Sequence, residues 1–324
     1  MTSIRRRQLC TLIAGALCAS PLVARATASD KPIRLIVPWS AGTPADLIGR
    51  TVAERMSAVL NQVIYIENRH GVSGTIAIPE VMRHPADGLT LYLLASTTLV
   101  APVLFPSVPA DFLADFDAIG QTDWGYNILC VAPERGFNSV ADVVAASRST
   151  PREVSYASGG NGTPPHLAGE MFSVQAGLEL NHIPYVQIGQ AAGDVIGGAV
   201  DLIFMGASGA LPLIRDGRLK PLAVTSPERV AALPDVPTMM ELGYPEFRMR
   251  PFNGLLIRSG ASSDTINRLN RALNEALAQP QVQTRMSTLG MQAAPTTPAE
   301  FEELLRVESK RWVELAQRAQ LKVD

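Results

Sequence analysis

The sequence predicts an α/β protein of two lobes with a ligand cleft between them. Short β-branched strands alternate with amphipathic helices, the alternation restarts near residue 127, and several strands run into small-residue loops that open helices. A chain of 324 residues suits two such units, because single hydrophobic cores stop growing at about 250–300 residues.

The first stretch stands outside that fold. Arg5, Arg6 and Arg7 precede an apolar run from Leu9 to Val23 and then Ala24-Arg25-Ala26-Thr27-Ala28. A charged start, an apolar run and overlapping A-x-A sites read as a signal peptide over residues 1–28, cleaved after Ala26 or Ala28. The run is shorter than the roughly 20 residues that span a bilayer, and a retained anchor is the alternative. Arg6-Arg7-Gln8-Leu9 also admits twin-arginine export. The expected location is the periplasm.

Cleavage would remove four arginines and no acidic residue, taking the formal charge from −2 to −6. An acidic chain without a basic tract argues against nucleic acid or an anionic membrane surface as the main partner. Cys10 and Cys18 would leave with the leader, so Cys130 would stand alone without an intrachain disulfide. Neither leader cysteine fits a lipid-anchor signal. A monomer is expected.

Residues 33–37 form the first expected strand, ended by Pro38. Asp46 is placed to cap a helix whose apolar positions Leu47, Ile48, Val52, Met56, Val59 and Leu60 recur at helical spacing. A strand at 63–66, a helix near 76–82 and a strand at 89–94 follow, predicting a mainly parallel sheet. The second series has strands at 127–132, 154–157, 180–185, 200–205 and 221–225. Helices at 139–147, 166–176, 191–198 and 210–216 separate them. A strand at 254–257 and long helices at 263–278 and 298–319 finish the chain. The chain should leave the first lobe near 123–127 and return near 248–253. That division assigns 29–125 plus 252–324 to lobe one and 126–251 to lobe two.

Catalytic signatures are poor. There is no G-x-S-x-G elbow, since Ser208 in Gly206-Ala207-Ser208-Gly209 is one place off. Cys130 lies among Ile128, Leu129 and Val131, as a buried hydrophobe would. His70, His84, His166 and His182 lack metal-ligand spacing, and Gly159-Gly160-Asn161-Gly162 fits neither a Walker loop nor a dinucleotide fingerprint. No metal or cofactor is expected.

Three small-residue loops remain, at 38–46, 68–75 and 158–166, each between a strand and a helix. Ligands of open α/β sheets bind outside the carboxyl ends of strands. Helix starts there offer unpaired N–H groups and a positive dipole end, which favour a carboxylate. The candidate binding residues are Trp39, Ser40, Ala41, Gly42, Thr43 and Asp46; Ser73 and Gly74; Ser96; Ser158, Gly159, Gly160, Asn161, Gly162, Thr163 and His166; and Met205, Gly206 and Ser208. Against them stands the plainer reading of tight βα turns, with Trp39 as a core lid, Asp46 as an N-cap and Arg69 in a salt bridge.

In this order these segments resemble the solute receptors of the tripartite tricarboxylate transporter family, also called Bug receptors. The resemblance runs through Lys31 to Pro38, Glu67-Asn68-Arg69, Asp87 to Leu91, Gly162 to Glu170, Gly198 to Leu202, Asp216 to Lys220, Leu222 to Ser226, and Leu233 to Thr238. It implies a periplasmic-binding-protein-like fold (type II, Venus flytrap), whose lobes close on a small organic acid for delivery to membrane permease subunits. It also implies that Trp39 through Thr43, and Ser158 through Thr163 with His166, hold a carboxylate through amides, hydroxyls and bridging waters. Departures include the hydroxylated Trp39-Ser40-Ala41-Gly42-Thr43-Pro44, Arg69-His70-Gly71 where the family has Arg-Pro-Gly, Tyr185-Val186-Gln187 where it has Tyr-Lys-Gly, and Phe252 where a Trp is usual. Losing that lysine leaves open a monocarboxylate, an aromatic acid or a neutral amide-type solute. Two alternatives also stay open: a sensing module that signals to a two-component receptor, and an extracytoplasmic hydrolase or isomerase with His166 as base.

Overall fold

Strand β1 (Ile33–Val37) is buried along almost its whole length, which is why it reads as a continuous apolar run. The computed structural model describes residues 31–104 and 111–319, so the leader reading of residues 1–28 lies outside the described residues. After β1 come α1 (Pro44–Leu60), β2 (Ile64–Asn68), α2 (Ile78–Met82), β3 (Thr90–Ala95), α3 (Ala101–Leu104) and β4 (Phe116–Gly125). The chain continues through β5 (Asn127–Val131), α4 (Val140–Ser149), β6 (Ser155–Ser158), α5 (Pro164–Ala176), β7 (Asn181–Pro184), α6 (Ile188–Ile196), β8 (Leu202–Gly206), α7 (Ala207–Arg215) and β9 (Lys220–Val224). It closes with β10 (Phe252–Arg258), α8 (Ser263–Leu277), α9 (Pro280–Thr288), β11 (Met291–Ala293) and α10 (Pro298–Arg318).

The strands form two sheets, ordered β11-β4-β10-β3-β1-β2 and β7-β6-β8-β5-β9. Both are mixed, which corrects the expectation of a mainly parallel sheet. Strand β10 is antiparallel to β3 and β4, and β5 is antiparallel to β8 and β9. The reason lies in the connections. β4 passes into β5 through Tyr126 alone, so β5 enters the second sheet directly from the first, and β10 is reached through the turn-rich stretch 225–251 and not through a crossover helix.

Helix starts differ in detail from the sequence reading. Thr43, not Asp46, is the N-cap of α1: its side chain accepts from the Asp46 N–H, and Pro44 takes the first helical position. Threonine followed by proline is a stronger start signal than an aspartate three residues on, because proline has no N–H to leave unpaired. Ser96–Val100 is a 3₁₀ turn directly after β3, and α7 begins at Ala207, directly after β8.

The sequence reading missed β4, α3, α9 and β11. In β4 the cause is polarity, for Gln121, Thr122 and Asp123 are all buried. Asp123 accepts from Asn253 Nδ2 at 2.9 and 3.2 Å and from Thr122 Oγ1 at 2.6 Å. Burial still pushes its carboxyl up to about 6.

The largest apolar cluster runs unbroken from one sheet to the other, joining Leu256, Phe252 and Phe301 to Phe204, Tyr156 and Phe172. Helix α10 seats Phe301 over β10, where any side chain at Gly254 would strike the ring. Further along, Trp312 is also buried and Arg318 reaches Glu246 at 3.3 Å. Arg250 lies 3.6 Å above the Trp124 ring at the junction. Cys130 is fully buried in β5, and burial raises its thiol pKa. No helix among the described residues is long and apolar enough to cross a membrane.

Candidate ligand site in the cleft

The two sheets meet around a cavity of about 250 Å³. Trp39, Thr43, Pro44 and Ala45 reach it from the start of α1, and Ala95, Ser96 and Thr97 from the end of β3. The second sheet contributes Asn127, Gly206, Ala207 and Ser208, with Pro164 and Pro165 from α5. Gly125, Tyr126, Pro251, Phe252 and Asn253 line it where the chain crosses, and Leu289, Gly290 and Met291 close one side. A larger groove of about 940 Å³ lies between α5, α10 and the stretch before β10. Two of its arginines are ion-paired, Arg311 with Glu308 at 3.0 Å and Arg318 with Glu246 at 3.3 Å. The cleft cavity is the candidate, because the starts of α1, α5 and α7 converge there with both crossings.

The first loop is braced from behind. Asp46 is fully buried; its Oδ2 accepts from the Gly42 N–H at 2.8 Å and Arg50 Nε at 2.9 Å, and its Oδ1 from Asn68 Nδ2 at 2.8 Å. Burial works to raise this carboxyl's pKa, but Arg50, Asn68 and the Gly42 amide hold it below its ordinary value. Asn68 Nδ2 also donates to the Trp39 carbonyl at 2.9 Å, and Thr43 Oγ1 to the Ser40 carbonyl at 2.8 Å. Gly42 takes a left-handed φ of +84°, which lets its amide point at the carboxylate. Asp46 therefore shapes the loop and is outside the cavity lining.

The second loop supports the first. A side chain at Gly74 would press on Pro38 and Thr98, and Arg69 pairs with Glu67 at 2.6 Å. The side chain of Ser73 lies outside the described residues.

The third loop is satisfied within itself. Ser158 is fully buried, with its Oγ 2.6 Å from His182 Nε2 and accepting from the Gly160 N–H at 3.0 Å. Thr163 Oγ1 donates to the Gly160 carbonyl at 2.7 Å, and the Gly162 N–H donates to His166 Nδ1 at 3.1 Å. The His166 and His182 rings are 4.5 Å apart. Burial first, and His182 second, push His166 down to about 3; burial takes His182 down to about 4. His166 is thus a neutral, buried ring with Nδ1 occupied, a poor general base. Helix α5 then opens on Pro164 and Pro165, so its first two positions bring no N–H at all.

Of the sequence candidates, Trp39, Thr43, Ser96, Gly206 and Ser208 line the cavity. Ser40, Ala41, Gly42, Asp46, Gly74, Ser158, Gly159, Gly160, Asn161, Gly162, Thr163, His166 and Met205 are not among the lining residues. Tyr126, Asn127, Phe252 and Asn253 escaped the residue-level reading, although the predicted crossings at 123–127 and 248–253 pointed to them. Leu289, Gly290 and Met291 had no signal, because they follow a helix that was not foreseen.

The family model of the tripartite tricarboxylate transporter family receptor matches residues 48–321. Protein BugT of Bordetella pertussis is 33% identical over 302 residues, covering 93% of this chain and 92% of that protein. Among solved structures, the periplasmic binding protein BugD is 29% identical with a TM-score of 0.78, over 91% of this chain and 99% of that one. R. palustris Rpa4515 with adipate is 26% identical with a TM-score of 0.79, over the same 91% and 99%. Two mixed α/β sheets, a cleft at their junction and these similarities together show that the chain belongs to the tripartite tricarboxylate transporter receptor family.

Proposed function

We propose that this protein is an extracytoplasmic solute receptor that captures a small carboxylate for a tripartite tricarboxylate-type permease and performs no chemistry on it. Residues 29–125 with 252–324 form one lobe and 126–251 the other, after export to the periplasm and removal of residues 1–28. One observation carries the reading: the cavity takes its walls from both sheets and from both crossing segments. Rotation about those crossings would open the site for entry and shut it around the solute. The relative solved with adipate supports a carboxylate as cargo. Calorimetry of the purified protein against a library of small organic acids tests the proposal. At least one acid should bind with one-to-one stoichiometry, and failure of every acid would end the carboxylate reading.

A further inference from the structure

Among the described residues, no charged side chain lines the cleft cavity. Trp39, Tyr126, Phe252, Pro164, Pro165 and Leu289 supply apolar or aromatic wall. Part of the polar lining is already committed. Thr43 Oγ1 donates to the Ser40 carbonyl, Asn127 Nδ2 to the Phe204 carbonyl and Asn253 Nδ2 to Asp123.

The Ser96, Thr97, Ser208 and Tyr126 hydroxyls and the buried Trp39 Nε1–H remain, and among the described residues they donate to no protein acceptor. Ser96 and Thr97 are only 1% and 2% exposed, and Ser96 Oγ accepts from the Phe252 N–H at 3.1 Å, leaving its hydrogen free to turn. Ser208 stands in the first turn of α7, whose positive end faces the cavity, whereas Pro164 and Pro165 remove two donors from α5. An ionised carboxylate offers about four lone-pair sites. Four hydroxyls, one indole N–H and one helix start fill one such group and fall short of the about eight sites of two. A second carboxylate would lie against apolar wall with no cation to pair it, the costly case for a buried charge.

We propose that the cavity selects monocarboxylates with an apolar body and rejects the diacid of the same skeleton. The inference rests on the receptor reading above and deepens it. At about 250 Å³ the cavity is below the about 300–1,000 Å³ of drug-sized pockets, which suits an acid the size of hexanoate or benzoate.

Calorimetry with matched pairs tests it: hexanoate against adipate, and benzoate against terephthalate. The monoacid of a pair should bind on the order of 100-fold more tightly. A diacid that binds as well as its monoacid would overturn the selectivity while leaving the receptor reading intact. Binding of neither class would overturn both. As a second arm, Leu289→Lys places a cation on the apolar wall, with Met291→Lys as the substitute if the first variant fails to fold. Either folded variant should raise adipate affinity about 10-fold or more. Unchanged adipate affinity in both variants would overturn the proposal.

Discussion

Gly290 decides how closely the two sheets approach beside the cavity. It holds a left-handed φ of +68°, and a side chain there would sit 2.6 Å from the Ser208 amide nitrogen and 3.0 Å from the Ala207 Cβ. The left-handed backbone costs a non-glycine residue about 1–2 kcal/mol, and the overlap is relieved only if α7 moves away. Gly290→Ala should therefore lower stability in urea by about 1–2 kcal/mol and weaken the best-binding acid by about 10-fold. An unaltered affinity beside the lowered stability would show that this seam is absent from the ligand-bound form. Asp46 is the opposite kind of residue, charged and buried yet outside the lining. Its three protein partners take up its oxygens and so fix the backbone of Trp39 through Thr43. Sequence alone offered Asp46 as a contact or a cap, and it is a brace: Arg50 stands one turn on in the same helix, and Asn68 comes from β2, whose approach only the fold reveals.

Two helix caps of the same chemistry separate structure from function. Thr43 caps α1 at the cavity, and Thr297 caps α10 in a reciprocal capping box with Glu300. Each threonine replaced by alanine should cost about 1 kcal/mol of stability. Thr43→Ala should also weaken acid binding, whereas Thr297→Ala should leave it unchanged; equal affinity in both variants would remove Thr43 from the site. Elements were legible where apolar spacing was strong, as in β1, α1, α8 and α10, and where glycine or proline marked an end. Strand β4 was illegible because its buried middle is Gln121, Thr122 and Asp123, whose hydrogen bonds are met by long-range partners such as Asn253 and Thr296. The third loop stands outside the cavity lining over residues 158–163. Its Gly-Ser pattern marks a turn tied to itself, and the Pro164-Pro165 start leaves α5 without the amides that an anion-binding helix end would present.

At the scale of the whole molecule, the buried titratable groups give stability a pH dependence with opposing parts. His166 is neutral in the fold at about 3 against an ordinary value of 6.5, so only the unfolded chain takes up its proton between those values. Its contribution is retained above 6.5 and is lost progressively as pH falls towards 3, reaching about 2 kcal/mol at pH 5. Asp123, raised from 3.8 to about 6, runs the other way and loses stability as pH rises through that interval. Comparison with His166→Asn isolates the first part. Urea midpoints at pH 7 and pH 5 should show the variant losing about 2 kcal/mol less than the wild type; equal losses would mean that His166 is not held neutral. Cys130 has a different consequence. A chain begun at residue 29 has this one cysteine, sealed inside β5 with its thiolate suppressed by burial. A cysteine introduced at exposed Thr288, on the rim beside α7, would be the sole reactive sulfur. One thiol-linked dye could then be attached there without removing the native residue, turning the protein into an optical reporter of its own cargo.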